Sequence, residues 1–152
     1  MIHLQGDGGH AKEIREIIRL ISVEKGESWL IAVGDNANRQ KEVVRHFGHL
    51  FCTLIHPSSI IARDVKIGLG TVVMAGTVIQ PGTSIGNHVI VNTCASVSHD
   101  CIVGDFVHIA PGCRICGEVT IGEGAFLGAG TIVVPGTIIQ PWAFYKAGSV
   151  VK

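Results

Sequence analysis

The sequence is poor in leucine, in aromatic residues and in charged side chains. Among its 152 residues, 7 are leucine, 8 are aromatic and 16% are charged, whereas 20 are isoleucine, 18 are valine and 20 are glycine. Isoleucine and valine without leucine favour strands over helices, and so much glycine favours frequent turns. The hydrophobic share of 47% excludes a disordered chain.

The sequence also lacks a charge imbalance, a long apolar stretch and a basic leader. Basic and acidic side chains number 12 each, so we expect neither nucleic acid nor an anionic membrane as a partner. No apolar stretch reaches the roughly 18 residues that a membrane span requires. The first ten residues do not resemble a secretory signal and the five cysteines are odd in number. We therefore expect free thiols and a cytoplasmic location.

Residues 1–54 carry 14 of the 24 charged side chains and alternate between strand and helix patterns. Apolar runs at residues 2–5, 29–33 and 50–54 predict three short strands. The first helix pattern follows the turn Gly6-Asp7-Gly8-Gly9-His10 and has one apolar face, formed by Ile14, Ile17, Ile18 and Ile21. The second is capped by Asp35 or Asn36 and carries Val43, Val44 and Phe47. This order predicts a miniature, truncated Rossmann-like α/β unit with three parallel strands.

From Ile55 onward the sequence repeats every six residues without a slip in phase. The first position is aliphatic in sixteen of seventeen repeats, and the fifth is small or β-branched. All five prolines fall at the third position, and all fourteen glycines fall at the second, third or fourth. Each unit is therefore predicted to be a short strand and a corner, with the first and fifth side chains pointing inward.

Such units bury their apolar side only by stacking, so residues 55–152 are predicted to form a solenoid. The pattern resembles the hexapeptide repeat of the left-handed parallel β-helix, and the left hand follows from this resemblance alone. With three units per coil and roughly 4.8 Å between stacked strands, about five coils would stand about 25 Å tall. We predict a mainly β protein, with a small α/β unit at 1–54 and a β-helix domain at 55–152.

The repeat gives the cysteines structural roles. Cys113 and Cys116 have the spacing of a redox or zinc motif, but the six-residue frame points them in different directions. Cys101 is inward and is expected to pack like a small hydrophobic residue. Cys94 lies at a corner and is a weak candidate nucleophile.

One histidine has a favourable chemical setting. His99 is predicted to point outward at a corner and is followed by Asp100, which offers the imidazole a carboxylate partner. Gly117 lies eighteen residues further, one coil above, where it leaves space and a bare backbone N–H. His108 is predicted on an adjacent edge. We interpret four histidines as ordinary surface residues: His46, His49, His56 and His88.

Three motifs together resemble one family. They are GDGGHAKEI near the start, IAVGDNANRQK followed by LIHPSSII, and NTCASVSHDCIVGDFVHIAPGCRICGEV in the repeats. They resemble the sialic acid and bacterial sugar O- or N-acetyltransferase family (NeuD/PglD type), within the hexapeptide-repeat acyltransferases. The resemblance covers nearly the whole chain, and it implies that 1–54 is a substrate-binding unit and that 55–152 is an acyltransferase domain. It implies a homotrimer that transfers acetyl from acetyl-CoA, bound between neighbouring β-helices and without a metal, to a sugar or nucleotide-linked sugar.

The resemblance also implies roles for single residues. His99 would be the general base, polarised by Asp100, and the Gly117 N–H would bind the thioester carbonyl. The implied substrate contacts are Gly8, Gly9, His10, Asp35, Asn92 and His108, and Lys146 is predicted to contact CoA phosphates.

Two departures from the family leave alternatives open. Only Ser22–Ser28 replaces a strand that normally supplies acidic residues near the nucleotide, and the usual Gly-x-Pro-Ala-Lys-like tail has no counterpart. The missing strand implies that one wall of the nucleotide pocket is absent, and the missing tail implies weaker CoA affinity or a trimmed chain end. The alternatives are a non-catalytic trimeric β-helix scaffold, a three-histidine zinc carbonic anhydrase, and an acyltransferase for an acceptor other than a sugar. The GDGGH loop is alternatively a plain strand-to-helix turn.

Overall fold

The computed structural model describes residues 1–20 and 27–152. It begins with a small α/β unit and continues as a long series of two-residue strands. The two strands of the α/β unit pair in parallel. Its elements are β1 (Ile2–Gln5), α1 (Gly9–Leu20), β2 (Ser28–Ile31) and α2 (Asn36–Arg45).

Helix α1 has the apolar face that its spacing predicts. Ile14 and Ile17 are buried and pack with Leu30 in one hydrophobic cluster, and Ile18 packs against that cluster. Ile21, the last member of the predicted face, lies outside the described residues, as does most of the Ser22–Ser28 connection. The periodicity is thus confirmed as far as residue 20.

The prediction of a third strand in this unit is wrong. Between residues 50 and 53, only Phe51 forms an isolated parallel bridge, with Trp29. The backbone N–H of Leu54 already bonds to the Thr71 carbonyl at 2.9 Å, because the chain is turning into the next part of the fold. The α/β unit therefore has a two-stranded sheet.

Residues 54–151 form a parallel β-helix of about five coils. Every strand is a two-residue segment and pairs in parallel with the strand one coil away. In chain order the strands are β3 (Leu54–Ile55), β4 (Ile60–Ile61), β5 (Lys66–Ile67), β6 (Val72–Val73), β7 (Val78–Ile79), β8 (Ser84–Ile85), β9 (Ile90–Val91), β10 (Ser96–Val97), β11 (Ile102–Val103), β12 (His108–Ile109), β13 (Arg114–Ile115), β14 (Thr120–Ile121), β15 (Phe126–Leu127), β16 (Ile132–Val133), β17 (Ile138–Ile139), β18 (Phe144–Tyr145) and β19 (Val150–Val151).

The strands form the three faces of a prism. We call the sheet β3-β6-β9-β12-β15-β18 face 1, the sheet β4-β7-β10-β13-β16-β19 face 2, and the sheet β5-β8-β11-β14-β17 face 3. The chain passes from face 1 to face 2 to face 3 and back to face 1 in each coil of eighteen residues. The position of a residue in the sequence therefore determines the edge or face on which it lies. This predicted mainly β, hexapeptide-repeat architecture is confirmed.

The burial of side chains follows the six-residue frame. First-position residues from Ile79 to Ile139 and fifth-position residues from Thr71 to Thr137 are buried. Fourteen fourth-position residues have left-handed backbone, with φ between 54° and 75°. Eight of them are glycine, for which this conformation costs little, and six are other residues, including His88, Cys94 and Asp100.

Helix α2 docks on the β-helix through polar residues. Asn36 and Arg39 are its buried side chains, whereas Val44 and Phe47 are 68% and 91% exposed. The prediction that this helix carries Val43, Val44 and Phe47 is confirmed for the two valines and wrong for Phe47, which lies beyond Arg45, and the helix does not dock through these apolar residues. The reason is that the start of α2 meets backbone carbonyls at a prism edge, and polar side chains satisfy these acceptors.

The hydrophobic cluster that contains Ile14, Ile17 and Leu30 also joins the α/β unit to the outside of face 1. Ala11 and Leu30 from the α/β unit pack there against Leu54, Val72 and Met74 of the β-helix. The β-helix interior is a separate cluster. Neither helix within the described part of the chain is long and apolar enough to cross a membrane.

All five cysteines are free, as predicted. Cys101 and Cys113 are buried in the prism, and burial raises the pKa of both thiols. Cys94 is exposed at a corner and Cys116 is half-buried. The Cys113 and Cys116 thiols therefore do not act as a pair.

Candidate functional site

The His99–Asp100 pair lies at the edge between faces 2 and 3, in the corner between β10 and β11. His99 Nδ1 is 2.8 Å from Asp100 Oδ2, and both side chains are well exposed. Because a carboxylate accepts hydrogen bonds, Nδ1 carries the proton and Nε2 presents a lone pair. The backbone of Asp100 is left-handed, with a φ of 56°.

Gly117 lies directly over this imidazole on the next coil. A Cβ atom on Gly117 would stand 2.6 Å from His99 Nε2, which is closer than side chains tolerate. The Glu118 N–H bonds to the His99 carbonyl at 3.0 Å and fixes the two coils relative to each other. The Gly117 N–H donates to no acceptor among the described residues, so it is free to meet a ligand oxygen.

A second polar group forms where the α/β unit meets face 1. His108, on β12, has its Nδ1 3.1 Å from the Gly34 carbonyl and its Nε2 3.3 Å from Asn92 Nδ2. The Asn92 Oδ1 accepts from the Thr93 N–H at 2.7 Å. A carbonyl only accepts, so His108 carries its proton on Nδ1 and accepts from the Asn92 amide at Nε2.

His10 lies near this group and holds an unsatisfied buried atom. Its Nε2 has no hydrogen-bond partner in the described structure, and its Nδ1 is 3.7 Å from a Glu13 carboxylate oxygen. A buried polar atom without a partner is costly unless a ligand or water satisfies it. The atom is therefore a candidate contact for a bound molecule.

The imidazoles of His10 and His108, which together with Asn92 form the second polar group, are both neutral at neutral pH. Burial, aided by the neighbouring His108 and Arg39, lowers the pKa of His10 to about 4. Burial and Arg39 lower the pKa of His108 to about 4 as well, against the opposing effect of its bond to Gly34. At neutral pH these side chains act as hydrogen-bonding groups without charge.

The glycine-rich loop opens into a cleft of about 380 Å³ between the ends of β1 and β2. Gly6 is required by the fold, since its φ is +126° and a Cβ atom would lie 2.6 Å from the Ala32 carbonyl oxygen. A Cβ atom on Gly8 or Gly9 would meet nothing within 4 Å. These two glycines therefore face open space at the start of α1, where anions bind favourably.

The other two predicted site residues have different surroundings. Asp35 is the N-cap of α2, and its Oδ1 accepts from the Asn38 N–H at 2.8 Å. Lys146 is exposed at the corner after β18. Their proposed contacts with substrate and CoA stay predictions.

The two polar groups do not meet within one chain. His99 lies on the edge between faces 2 and 3, Asn92 on the edge between faces 1 and 2, and His108 on face 1. No hydrogen bond or ion pair of the described residues joins His99 to His10, Asn92 or His108.

Sequence reasoning missed the residues that hold the second group in place. Arg39 is 1% exposed and Asn36 is 7% exposed, although both residue types favour the surface. Asn36 Nδ2 donates to the Gly124 and Ala125 carbonyls at 3.0 and 3.1 Å. Their acceptors are mostly backbone carbonyls, which leave no trace in a sequence.

The interpretation of His88 as a surface residue is wrong. His88 is 6% exposed, and its ring stacks on Phe106 at 5.3 Å and meets Phe51 edge-on at 4.8 Å. Burial lowers its pKa to about 4, with a further contribution from Arg39. The fourth-position corner turns this ring beneath the α/β unit instead of towards solvent.

No family model matches the chain. Among curated proteins, it is 31% identical over 113 residues to GDP-perosamine N-acetyltransferase of Escherichia coli O157:H7, covering 73% of this chain and 51% of that protein. It is 38% identical over 111 residues to UDP-N-acetylbacillosamine N-acetyltransferase of Bacillus subtilis, covering 49% of this chain and 51% of that protein. The chain thus spans about half the length of these curated relatives.

Solved structures match over almost the whole chain. PerB from Caulobacter crescentus, crystallised with CoA and GDP-perosamine, has a TM-score of 0.92 and 35% identity, covering 99% of this chain and 88% of that one. The acetyltransferase domain of PglB from Neisseria gonorrhoeae has a TM-score of 0.92 and 29% identity, covering 99% and 90%. That domain has also been crystallised with acetyl coenzyme A.

The coils of hexapeptide repeats place the protein in the class of hexapeptide-repeat acyltransferases. Within that class, the extent and identity of the match to PerB show that the chain belongs to the sugar N-acetyltransferase family. The resemblance drawn from the sequence motifs is thereby confirmed. Three His, Cys, Asp or Glu side chains placed to hold a metal ion are not found in residues 1–20 and 27–152.

Proposed function

We propose that the chain is an acetyl-CoA-dependent N-acetyltransferase that acts on the amino group of a nucleotide-linked sugar. The observation that carries this proposal is the His99–Asp100 pair beneath the free N–H of Gly117. A base and an oxyanion donor on the same side of a groove are what direct acyl transfer requires. The names of the relatives, which include two nucleotide-sugar N-acetyltransferases, support the same reaction.

In the proposed reaction the sugar amine attacks the thioester carbonyl. The new C–N bond forms while His99 Nε2 takes a proton from the amine, and Asp100 stabilises the resulting imidazolium through Nδ1–H. The Gly117 N–H stabilises the oxyanion of the tetrahedral intermediate. Collapse of the intermediate breaks the C–S bond, and the proton held by His99 passes to the departing thiolate. A positioned base contributes about 10²–10⁴ in rate and one oxyanion donor about 10²–10³.

We further propose that the complete site lies between two copies of the chain in a homotrimer. One chain keeps His99 and the group formed by His10, Asn92 and His108 on different parts of the prism. A neighbouring copy brings the edge between faces 2 and 3 of one prism to the second polar group of the other. Acetyl-CoA then occupies the groove between the two prisms, and the glycine-rich loop with His10 holds the nucleotide-linked sugar.

The experiment is a thiol-release assay with acetyl-CoA and a panel of GDP- and UDP-linked amino sugars and sialic acid. We expect turnover with at least one nucleotide-linked amino sugar, and loss of most turnover in His99→Ala with the trimer intact. His56→Ala is the matched control, because His56 is also a corner histidine but its ring bonds only to Ser58 among the described residues. Full activity in His99→Ala would overturn the assignment of the base. Failure of the wild-type protein to bind acetyl-CoA would favour the scaffold alternative.

A further inference from the structure

The guanidinium of Arg39 is buried and forms no ion pair with a carboxylate in residues 1–20 and 27–152. It is 1% exposed, and no carboxylate of the described residues lies within salt-bridge distance of it. Its acceptors within 3.1 Å are all neutral: the carbonyls of His88, Val33, Gly34 and Phe106, and Asn36 Oδ1. Burial lowers the pKa of Arg39 to about 10, so the side chain is still charged at neutral pH.

A fully buried charge is expensive unless many dipoles compensate it. A helix that merely needed to dock could use apolar side chains, as α1 does with Ile14 and Ile17. Two of the hydrogen bonds of Arg39 go to a loop that contacts the candidate site. Arg39 Nη1 donates to Val33 and Gly34, the loop that ends against His108.

We propose that Arg39 is the positioning residue of the candidate site, acting through the Gly34 carbonyl on His108 and through His108 on Asn92. This inference rests on the proposed function, since it assigns a role within that site. The Gly34 carbonyl accepts from Arg39 Nη1 and from His108 Nδ1, each at 3.1 Å. Fixing this oxygen fixes which nitrogen of His108 carries the proton.

The tautomer of His108 then sets the orientation of the Asn92 amide. His108 Nε2 accepts from Asn92 Nδ2, and the Thr93 N–H holds Asn92 Oδ1. A protonated His108 would present an N–H to the Asn92 NH₂ group, so two donors would face each other and the amide would turn. The site therefore needs His108 neutral, and the positive charge of Arg39 disfavours its protonation.

The charged and titratable groups around His108 are few. His10, with Glu13 beside it, comes from α1. Arg39 comes from α2, whose cap is Asp35, and His88 lies at the β-helix edge bound by Arg39. The imidazoles are neutral at pH 7 and Asp35 is engaged as a cap, so Arg39 is the buried cation of this group.

The first test is nuclear magnetic resonance of the wild-type protein labelled with ¹⁵N-histidine. Two-bond ¹⁵N–¹H correlations are expected to show His108 protonated on Nδ1, with Nε2 bare and no titration down to about pH 5. A proton on Nε2, or ordinary titration near pH 6.5, would overturn the proposal. This measurement needs neither a substrate nor a folded variant, so its failure is separate from the absence of thiol release.

The second test compares Arg39→Met with Arg39→Lys, and uses Lys41→Met as a matched loss of an exposed cation on the same helix. In Arg39→Met we expect the pKa of His108, followed by the same ¹⁵N–¹H correlations, to rise by about one pH unit. Arg39→Lys keeps the charge, so the pKa of His108 should stay near that of the wild type although kcat falls. A purely structural role predicts a lower kcat in both variants with an unchanged pKa of His108, and that result would contradict the proposal.

Discussion

Replacing Gly117 with alanine should separate catalysis from folding. The added Cβ atom would lie 2.6 Å from His99 Nε2 and 2.7 Å from Cε1. The imidazole must move by about 0.8 Å to reach the ordinary contact distance of 3.4 Å. Since His99 is exposed at a corner, it has room to rotate away, and its hydrogen bond with Asp100 is then broken.

The expected effects on rate and on stability differ widely. A displacement of roughly 1 Å at a reacting group costs about 10²-fold in rate, so kcat should fall by about that factor. Gly117 has no left-handed backbone conformation, and alanine loses less freedom than glycine on folding. The free energy of unfolding should therefore change by less than about 1 kcal/mol.

The assay is thiol release from acetyl-CoA, with the thermal unfolding midpoint measured on the same preparations. Gly48→Ala is the control for alanine at a glycine position, because Gly48 has φ +93° and a Cβ atom there touches nothing within 4 Å. That variant should lose about 1 kcal/mol of stability and keep its kcat. Wild-type kcat in folded Gly117→Ala would refute the placement of the base beneath Gly117.

Three further predictions follow from single contacts. The pKa values of His10, His88 and His108 are lowered to about 4 in the folded protein, so the unfolded chain binds more protons below pH 6.5. The free energy of unfolding should therefore be highest above pH 6.5 and fall towards pH 4. Denaturant titrations at several pH values measure this fall, and His88→Phe should make it smaller. Asp35→Ala should cost about 1 kcal/mol of stability through the lost cap, whereas Asp35→Asn keeps the cap, so a raised KM in Asp35→Asn would reveal a substrate contact and an unchanged KM would contradict one. Gly6→Ala should unfold the α/β unit. Gly9→Ala should fold normally and weaken the binding of a nucleotide-linked sugar, which calorimetry measures. Unchanged affinity in Gly9→Ala would favour the alternative that the loop is a plain strand-to-helix turn.

The β-helix could be predicted from the sequence because its period assigns burial to every residue. Ile79 and Ile115 occupy first positions and Cys101 and Cys113 fifth positions, and all four are buried as the frame requires. The same frame placed Gly117 over His99, since strands one coil apart are eighteen residues apart. A strict period therefore allows contacts between coils to be read from the separation of two residues in the sequence.

The docking of α2 could not be predicted in the same way. Arg39 and Asn36 are buried because they reach backbone carbonyls at a prism edge, and carbonyls are the same in every sequence. Val44 and Phe47 are exposed, and α2 meets the β-helix with its polar start. The prediction that His88 is a surface residue was wrong because the α/β unit covers the corner where His88 lies. The six-residue period does not show which corners another part of the chain covers.

The most direct test of the account is activity in mixed trimers of two inactive variants, His99→Ala and His108→Ala. If the site combines His99 of one copy with His108 of the next, every trimer that contains both variants has one intact site among its three, because only one of its interfaces pairs a copy that keeps His99 with a neighbour that keeps His108. We predict thiol release at about one third of the wild-type level from co-expressed, doubly tagged trimers, while each variant alone stays inactive. No recovery in trimers shown to contain both variants would contradict a site shared between neighbouring copies.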